Sequence, residues 1–208
     1  EWVEGLNRMD MNIAVSNFVK NTFESVVYDK LDEKTEQKIG EVRLTKPMEV
    51  LFEGADLDIY KKTNEFSKEL VDEMSSIKDK FLFLYTGHWL QGDLGQDRKD
   101  TGMLVKTFLE TFKNMKNAPA LLMKTSGATF SVIDRNDMLE KIENIKKSVS
   151  GDLPNVYLLH GDMFDDEINE LYNHPKVKAH ITFTHGEGFG RPLLEACFSE
   201  KPVIAPDW

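Results

Sequence analysis

The sequence predicts an α/β fold built on a doubly wound parallel sheet, and three observations predict it. Short apolar runs rich in β-formers recur at residues 81–86, 120–125, 156–161, 180–185 and 202–205, each bounded by turn residues. The segments between them carry apolar residues at helical spacing. The runs themselves are continuously hydrophobic rather than alternating, as parallel strands covered on both faces require. From about residue 80 onward this β-α repeat reads as a Rossmann-like domain.

The elements follow in order. Residues 12–16 are a short strand candidate, and Ser16 is placed to cap a helix with Phe18, Val19, Phe23 and Val26 on one side. A charged stretch over 28–43 leads to a second strand candidate at 48–52, closed by Gly54. Residues 53–62 read as a connector, and Phe66, Leu70, Val71, Met74 and Ile77 mark an amphipathic helix. After the strand at 81–86, Leu104, Val105, Phe108 and Phe112 share one helical face. Leu139, Ile142, Ile145 and Val149 share another, and Ile168, Leu171 and Tyr172 form a shorter stripe. The boundary between the two halves falls between Gly54 and Lys80, and we divide the chain into residues 1–60 and 61–208.

The chain's 208 residues allow one domain, or one domain and a piece of another. Its 26 basic and 36 acidic residues give a net charge of −10, which opposes binding to a phosphate backbone and argues against nucleic acid as a partner. No apolar run approaches the roughly 18–20 residues of a membrane-spanning helix. The single cysteine, Cys197, cannot form an internal disulfide and lies among Leu193, Leu194 and Phe198, where it reads as a core residue. With no signal-like opening, the cytoplasm is the expected compartment, a peripheral membrane position of a longer protein being compatible with it. The chain opens at Glu1 and stops at Trp208 just past a strand and its proline, so both ends read as cut.

The most informative segment is T-H-G-E-G-F-G-R-P-L-L-E-A-C-F-S-E-K-P-V-I-A-P, residues 184–206. A strand empties into a loop holding Gly186, Gly188 and Gly190, and Pro192 suits the first turn of the helix that follows. Orphan N–H groups and the macrodipole favour an anion there. Glu187 and Glu195 are spaced to face one pocket. Beside an anion site such carboxylates are best aimed at neutral hydrogen-bonding groups, of which sugar hydroxyls are the obvious case. The glycine spacing is neither a dinucleotide fingerprint nor a P-loop.

These residues resemble a family. E-G-F-G-R-P-L-L-E-A followed by K-P-V-I-A-P is similar to the E-x7-E signature of retaining GT-B glycosyltransferases (glycosyl transferase group 1 type), which use nucleotide-sugar donors. V-S-N-F-V-K-N-T-F (15–23) resembles the late strand and helix of that family's N-terminal domain. E-V-L-F-E-G-A-D-L-D-I-Y (49–60) resembles its domain connector, and F-L-F-L-Y-T-G-H (81–88) the first strand of its donor domain. The resemblance implies that residues 61–208 are a truncated nucleotide-sugar-binding domain and residues 1–60 a remnant of the acceptor-side domain. It implies that Glu187 contacts the donor sugar as the catalytic-site carboxylate and Glu195 the ribose, with Leu194 beside it. Gly188, Phe189 and Gly190 would meet the sugar or diphosphate. Lys99 matches the family's second diphosphate-binding cation. The first is usually Arg but here is His88, following Gly87, and Arg98 is the other cation at hand. His160 to Phe164, H-G-D-M-F, resembles the base-binding turn, with His160 and Met163 as its contact residues. The donor would be a UDP- or GDP-sugar, with no metal and no cofactor, and the acceptor a glycan, lipid or small molecule.

His88, His160 and His185 all follow predicted strands, but their spacing matches no metal motif. Asp56 and Asp58 imitate a D-x-D metal motif from a setting, the connector, that argues coincidence. Two alternatives stand beside the transferase. One is another GT-B enzyme, a sugar-nucleotide epimerase or a phosphorylase, although nothing marks a pyridoxal lysine. The other is a non-catalytic nucleotide-sugar-binding module. The fragment alone is expected to be inactive and to self-associate through its exposed N-terminal remnant.

Overall fold

The computed structural model describes residues 2–89, 94–127 and 129–207. The chain divides into two compact units, Glu1–Gly54 and Ala55–Trp208. The division falls six residues before the expected 60/61 boundary because Ala55, Ile59 and Tyr60 pack into the core of the larger unit.

The smaller unit contains α1 (Trp2–Leu6), β1 (Asn12–Ala14), α2 (Asn17–Ser25), β2 (Val27–Leu31), β3 (Lys38–Arg43) and β4 (Met48–Val50). β1 and β4 pair in parallel, Asn12 opposite Met48 and Ala14 opposite Val50. The Ser16 hydroxyl accepts the Val19 N–H at 3.2 Å, the cap expected of it. No residue of α2 is fully buried: Val19, Phe23 and the C-cap Val26 are half-buried, whereas Phe18 is 79% exposed. The charged stretch over 28–43, which carried no strand signal, folds as an antiparallel hairpin of β2 and β3. Every residue of β2 is exposed, so no face imposes the apolar alternation by which strands are read. The Asp32 carboxylate shapes the turn instead, accepting the N–H groups of Lys34 at 3.0 Å and Thr35 at 2.8 Å.

The larger unit holds α3 (Lys68–Ser76), β5 (Leu82–His88), α4 (Thr101–Phe112), β6 (Ala120–Ser126), α5 (Val132–Lys147), β7 (Val156–Leu159), α6 (Asp165–Asn173), β8 (Val177–Ile181), α7 (Arg191–Phe198) and β9 (Val203–Ile204). The five strands form one parallel sheet in the order β7-β6-β5-β8-β9. Successive residues of β5 and β6 serve opposite faces. Leu82, Leu84, Ala120 and Leu122 join Leu70, Met74, Leu171 and Ala196 from α3, α6 and α7 on one side. Tyr85, Leu121 and Met123 join Leu104, Phe108, Met138 and Ile142 from α4 and α5 on the other. Both faces are dry, which is why these strands read as continuous apolar runs.

Two expectations need correction. The strand placed at 180–185 is β8, which begins at Val177 and ends at Ile181. Lys178, exposed between buried Val177 and Ala179, breaks the apolar run and hides the strand's start. Residues 182–185 continue as a loop, with the Thr182 N–H donating to the Ile204 carbonyl and the His185 N–H to that of Arg98. Cys197 is exposed rather than in the core, because α7 turns Glu195 and Ala196 inward.

The segment after Tyr60 is fastened by polar side chains of α6. Asn169 accepts the Lys61 N–H at 3.1 Å, and Asn173 accepts the Thr63 N–H at 3.1 Å while donating to the Lys61 carbonyl at 2.9 Å. Glu170 accepts both the N–H and the hydroxyl of Ser67 at 2.7 Å. Asn169 and Asn173 are each 5% exposed, so the backbone groups they satisfy have little water to fall back on. Asn173→Ala should destabilise the larger unit by roughly 2–4 kcal/mol, read as a lower midpoint in urea with an unchanged slope. A change below about 0.5 kcal/mol would remove the clamp from the energetics.

Candidate functional site

The strand order reverses between β5 and β8. β5 leads through α4 to β6 on one side, while its other neighbour, β8, leads through α7 to β9. The connections leave the two strands in opposite directions, and a crevice opens at their carboxyl ends, where open α/β sheets bind ligands. A cavity of about 300 Å³ lies there, lined among others by Tyr60, Gly87, His88, Lys124, Phe130, Arg191 and Glu195. Gly87 is required by its neighbour, since a Cβ at its φ of +156° would meet the Tyr85 hydroxyl at 2.9 Å. That hydroxyl lies 2.8 Å from the hydroxyl of Thr101 at the start of α4. His88 is exposed, its Nδ1 3.3 Å from the Ser126 hydroxyl.

Beside the cavity, two loops meet. Arg98 and Lys99 precede α4, and the glycine-rich loop precedes α7, whose N-cap Gly190 has a left-handed φ of +88°. Lys99 Nζ donates to both oxygens of Glu187, at 2.6 and 2.7 Å. The Arg98 guanidinium donates to the Gly186 carbonyl and reaches Glu187 Oε2 at 3.3 Å. Burial raises the Glu187 pKa, but the hydrogen bond and charge of Lys99 outweigh it and hold the carboxyl below its ordinary value.

Glu195, whose side chain is 8% exposed, faces the cavity from α7. Arg191 one turn earlier donates to it at 3.0 Å and lies 3.7 Å from Asp165. Burial dominates here and raises the Glu195 pKa despite the guanidinium. Burial also raises the phenol of Tyr60, which faces the same two carboxylates. Lys124 is the one charged residue of β6, following four apolar residues. It donates to the Gly161 carbonyl at 2.7 Å and lies 5.4 Å from the centre of the Phe130 ring, and burial lowers its pKa. His160 Nε2 lies 2.8 Å from Asp134 Oδ2, an oxygen that also accepts the Gly127 N–H. Lys124 and Asp134 thus fix the turn at 160–164, in which Met163 packs partly buried against the core.

A buried polar chain supports this cavity. His180 Nε2 is 2.9 Å from Thr86 Oγ1, which is 2.9 Å from Tyr172 Oη, and Tyr172 donates to the Pro192 carbonyl at 3.1 Å. With the tyrosine proton given to Pro192, the remaining bonds are all made only if Thr86 donates to Tyr172 and His180 donates to Thr86. The imidazole is then the neutral Nε2–H tautomer. Its Nδ1, an acceptor, is left without a partner among the described residues. An unmet acceptor is the less costly choice.

The crevice therefore gathers Gly87, His88 and Glu195 in one cavity and Arg98, Lys99 and Glu187 in an ion-paired cluster beside it. Gly188, Phe189 and Gly190 lie on the loop between Glu187 and α7, with Leu194 half-buried on α7 itself. Glu195 lines the cavity, whereas Glu187 is held by Lys99. The three histidines each have a partner of their own, in Ser126, Asp134 and Asp100. Asp56 accepts the Asp58 N–H at 2.9 Å, a local turn. Tyr60, Lys124 and Arg191 were missed by sequence reasoning. Only Lys124, a charge inside an apolar run, carried a local signal.

No protein-family model and no curated protein matches the sequence. Solved structures do resemble it. The C-terminal domain of a glycosyl transferase group 1 family protein, LpcC, from Francisella tularensis aligns with a TM-score of 0.50 at 17% identity, over 73% of this chain and 70% of that one. A glycosyltransferase from Rickettsia africae aligns at 0.59 and 19% identity, over 98% and 47%. The HepE protein of Anabaena, in complex with UDP and glucose, aligns at 0.55 and 16% identity, over 98% and 46%. The fold is that of GT-B C-terminal, Rossmann-like domains, and the chain spans under half the length of the last two proteins.

The neutral imidazole makes a testable contribution to acid stability. Burial lowers the pKa of His180 from 6.5 to about 4. Between those values the unfolded chain takes up a proton that the folded chain refuses, so stability falls as the pH drops from 6.5 to about 4. The loss should total roughly 3 kcal/mol. Urea denaturation of the chain and of His180→Asn across this range should show the variant less stable at neutral pH but lacking this part of the slope. Parallel pH profiles would place the proton uptake elsewhere.

Proposed function

We propose that this chain is the nucleotide-sugar-binding part of a retaining glycosyltransferase. The observation that carries the reading is the convergence of Arg98 and Lys99 on the glycine-rich loop that opens α7, next to the cavity holding Glu195. Two cations and a helix N-terminus make an anion site, and the buried Glu195 carboxylate, one helix turn away, suits a ribose hydroxyl. The shared fold and the UDP and glucose bound by the Anabaena protein support the assignment.

In this reading Glu195 holds the ribose, the turn from His160 to Met163 takes the base, and Lys99, Arg98 and the amides of Gly188, Phe189 and Gly190 hold the diphosphate. Glu187 meets the sugar, and His88 lies at the end of β5 beside the reacting centre. The leaving diphosphate needs its developing charge stabilised. Side-chain cations and helix-terminal amides held in place before reaction supply that stabilisation without a metal ion. The sugar departs and the acceptor attacks on the same face, the leaving phosphate helping to take the acceptor proton. Donor binding lies with this chain, whereas holding an acceptor oxygen about 3–3.5 Å from the anomeric carbon needs the opposite wall. The chain by itself binds donor and transfers no sugar.

Calorimetric titration with UDP, GDP and ADP and their sugars tests the binding, and the anomeric configuration of product formed by a complete enzyme tests retention. Nucleotide affinity without turnover in a complete protein would favour the non-catalytic module. Lys99→Ala should weaken binding of the preferred nucleoside diphosphate by roughly ten- to a hundredfold, from about 1.5–3 kcal/mol for a charge-assisted contact, and leave the nucleoside unaffected. Equal weakening of both would take Lys99 out of the diphosphate site.

A further inference from the structure

The cations assigned to the diphosphate hold an internal partner. Lys99 Nζ grips both oxygens of Glu187, at 2.6 and 2.7 Å, and Arg98 adds a contact at 3.3 Å. The side chains of Lys99 and Glu187 are 11% and 17% exposed, so water screens this pair less than it screens a surface salt bridge. A phosphate oxygen placed on Lys99 would stand beside the Glu187 carboxylate, and two like charges at that range repel strongly in a poorly solvated site.

We propose that Glu187 is an internal counter-anion of the diphosphate site, which an incoming nucleotide must displace from Lys99 and Arg98 before its phosphates can bind. The proposal rests on the reading of those two cations as the diphosphate site. Binding is then an exchange of anions, not an addition. The arrangement permits the exchange. Glu187 is flanked by Gly186 and Gly188, so no adjacent side chain stands beside it, and its own side chain is 17% exposed. The exchange also has a consequence for selection. Only once a diphosphate has taken the cations is the Glu187 carboxylate free to accept a hydroxyl. A sugar without its diphosphate therefore finds no acceptor there, and the phosphates license recognition of the sugar.

The test reverses the usual expectation for a site carboxylate, since removing its charge should tighten binding. Calorimetry on the chain with inorganic pyrophosphate and with UDP should show Glu187→Gln binding both about tenfold more tightly than the unaltered chain. The gain should shrink in a Lys99→Ala background, where only the longer contact of Arg98, at 3.3 Å, remains to be released. Unchanged or weaker pyrophosphate binding by E187Q would overturn the proposal. Melting curves establish that the variants are folded, and Glu187→Ala is read in the same way if E187Q is not. The two readings fail separately. If E187Q tightens pyrophosphate while UDP binds no better than pyrophosphate, the exchange stands and the nucleotide reading falls. If UDP binds better than pyrophosphate and E187Q changes neither, the nucleotide reading stands and the exchange falls.

Discussion

The larger unit depends on one constraint of connectivity: β5 must pair with β6 on one edge and with β8 on the other, while the chain leaves β5 and β8 toward opposite sides of the sheet. A parallel sheet needs helical crossovers, and here those crossovers give each face its own core. The same arrangement draws α4 and α7 apart at the top of the sheet. Everything assigned to the site lies along that gap or beside it. The loop before α4 brings Arg98 and Lys99, and the loop before α7 brings Glu187. The cost is a polar patch in the middle of the sheet, where the carboxyl end of β5 is no longer purely apolar. Thr86, His180 and Tyr172 meet that cost by bonding to one another and finally to the Pro192 carbonyl, which ties the first turn of α7 to the strand beneath it. The crevice therefore has a rigid floor.

Its walls are charged in a chain of net charge −10, and each cation that faces the site already has a partner. Lys99 and Arg98 have Glu187, Arg191 has Glu195 and Asp165, and Lys124 has the Gly161 carbonyl. Lys99 and Glu195 are too poorly hydrated to stand unpaired at small expense, and each has a counter-charge within the site. Ligand binding at such a site is governed by the difference between internal and external partners. Affinity can then be set without altering the groups that touch the ligand, by changing what those groups hold beforehand.

How much of this was legible follows from what is local. The strands β5 and β6 and the helix α4 were readable because burial on both faces writes itself into consecutive residues. Ser16 was readable as a cap because a cap acts over three positions. The hairpin of β2 and β3 was not, since β2 is exposed throughout and β3 half-buries only Gly40 and Val42, so neither strand carries an apolar alternation and backbone pairing holds them. The start of β8 was hidden by a single outward lysine, Lys178. In the site, the glycine-rich loop and the start of α7 were plain, because conformation, capping and anion affinity all depend on residues close in sequence. The clasp of Lys99 on Glu187 joins residues 88 apart, and no spacing rule relates them. Tyr60, Lys124 and Arg191 converge on one cavity for the same non-local reason.

The glycines of the loop show where folding ceases to explain the sequence. Gly190 is needed by the fold, since α7 is entered through a left-handed residue at φ +88°, which a side chain would strain. Gly186 and Gly188 are not. Neither is among the positive-φ glycines, and a Cβ at either would meet no described atom within 4 Å. The fold therefore gives no reason for glycine at these two positions, and glycine in a loop carries an entropic cost. The missing side chains matter only to something that moves through or approaches the space they leave, whether the carboxylate of Glu187 as it changes partners or a ligand that takes its place. Within five positions of one loop, Gly190 is thus required by the fold, whereas Gly186 and Gly188 are not. The latter two are the part of the pattern that points beyond structure to binding.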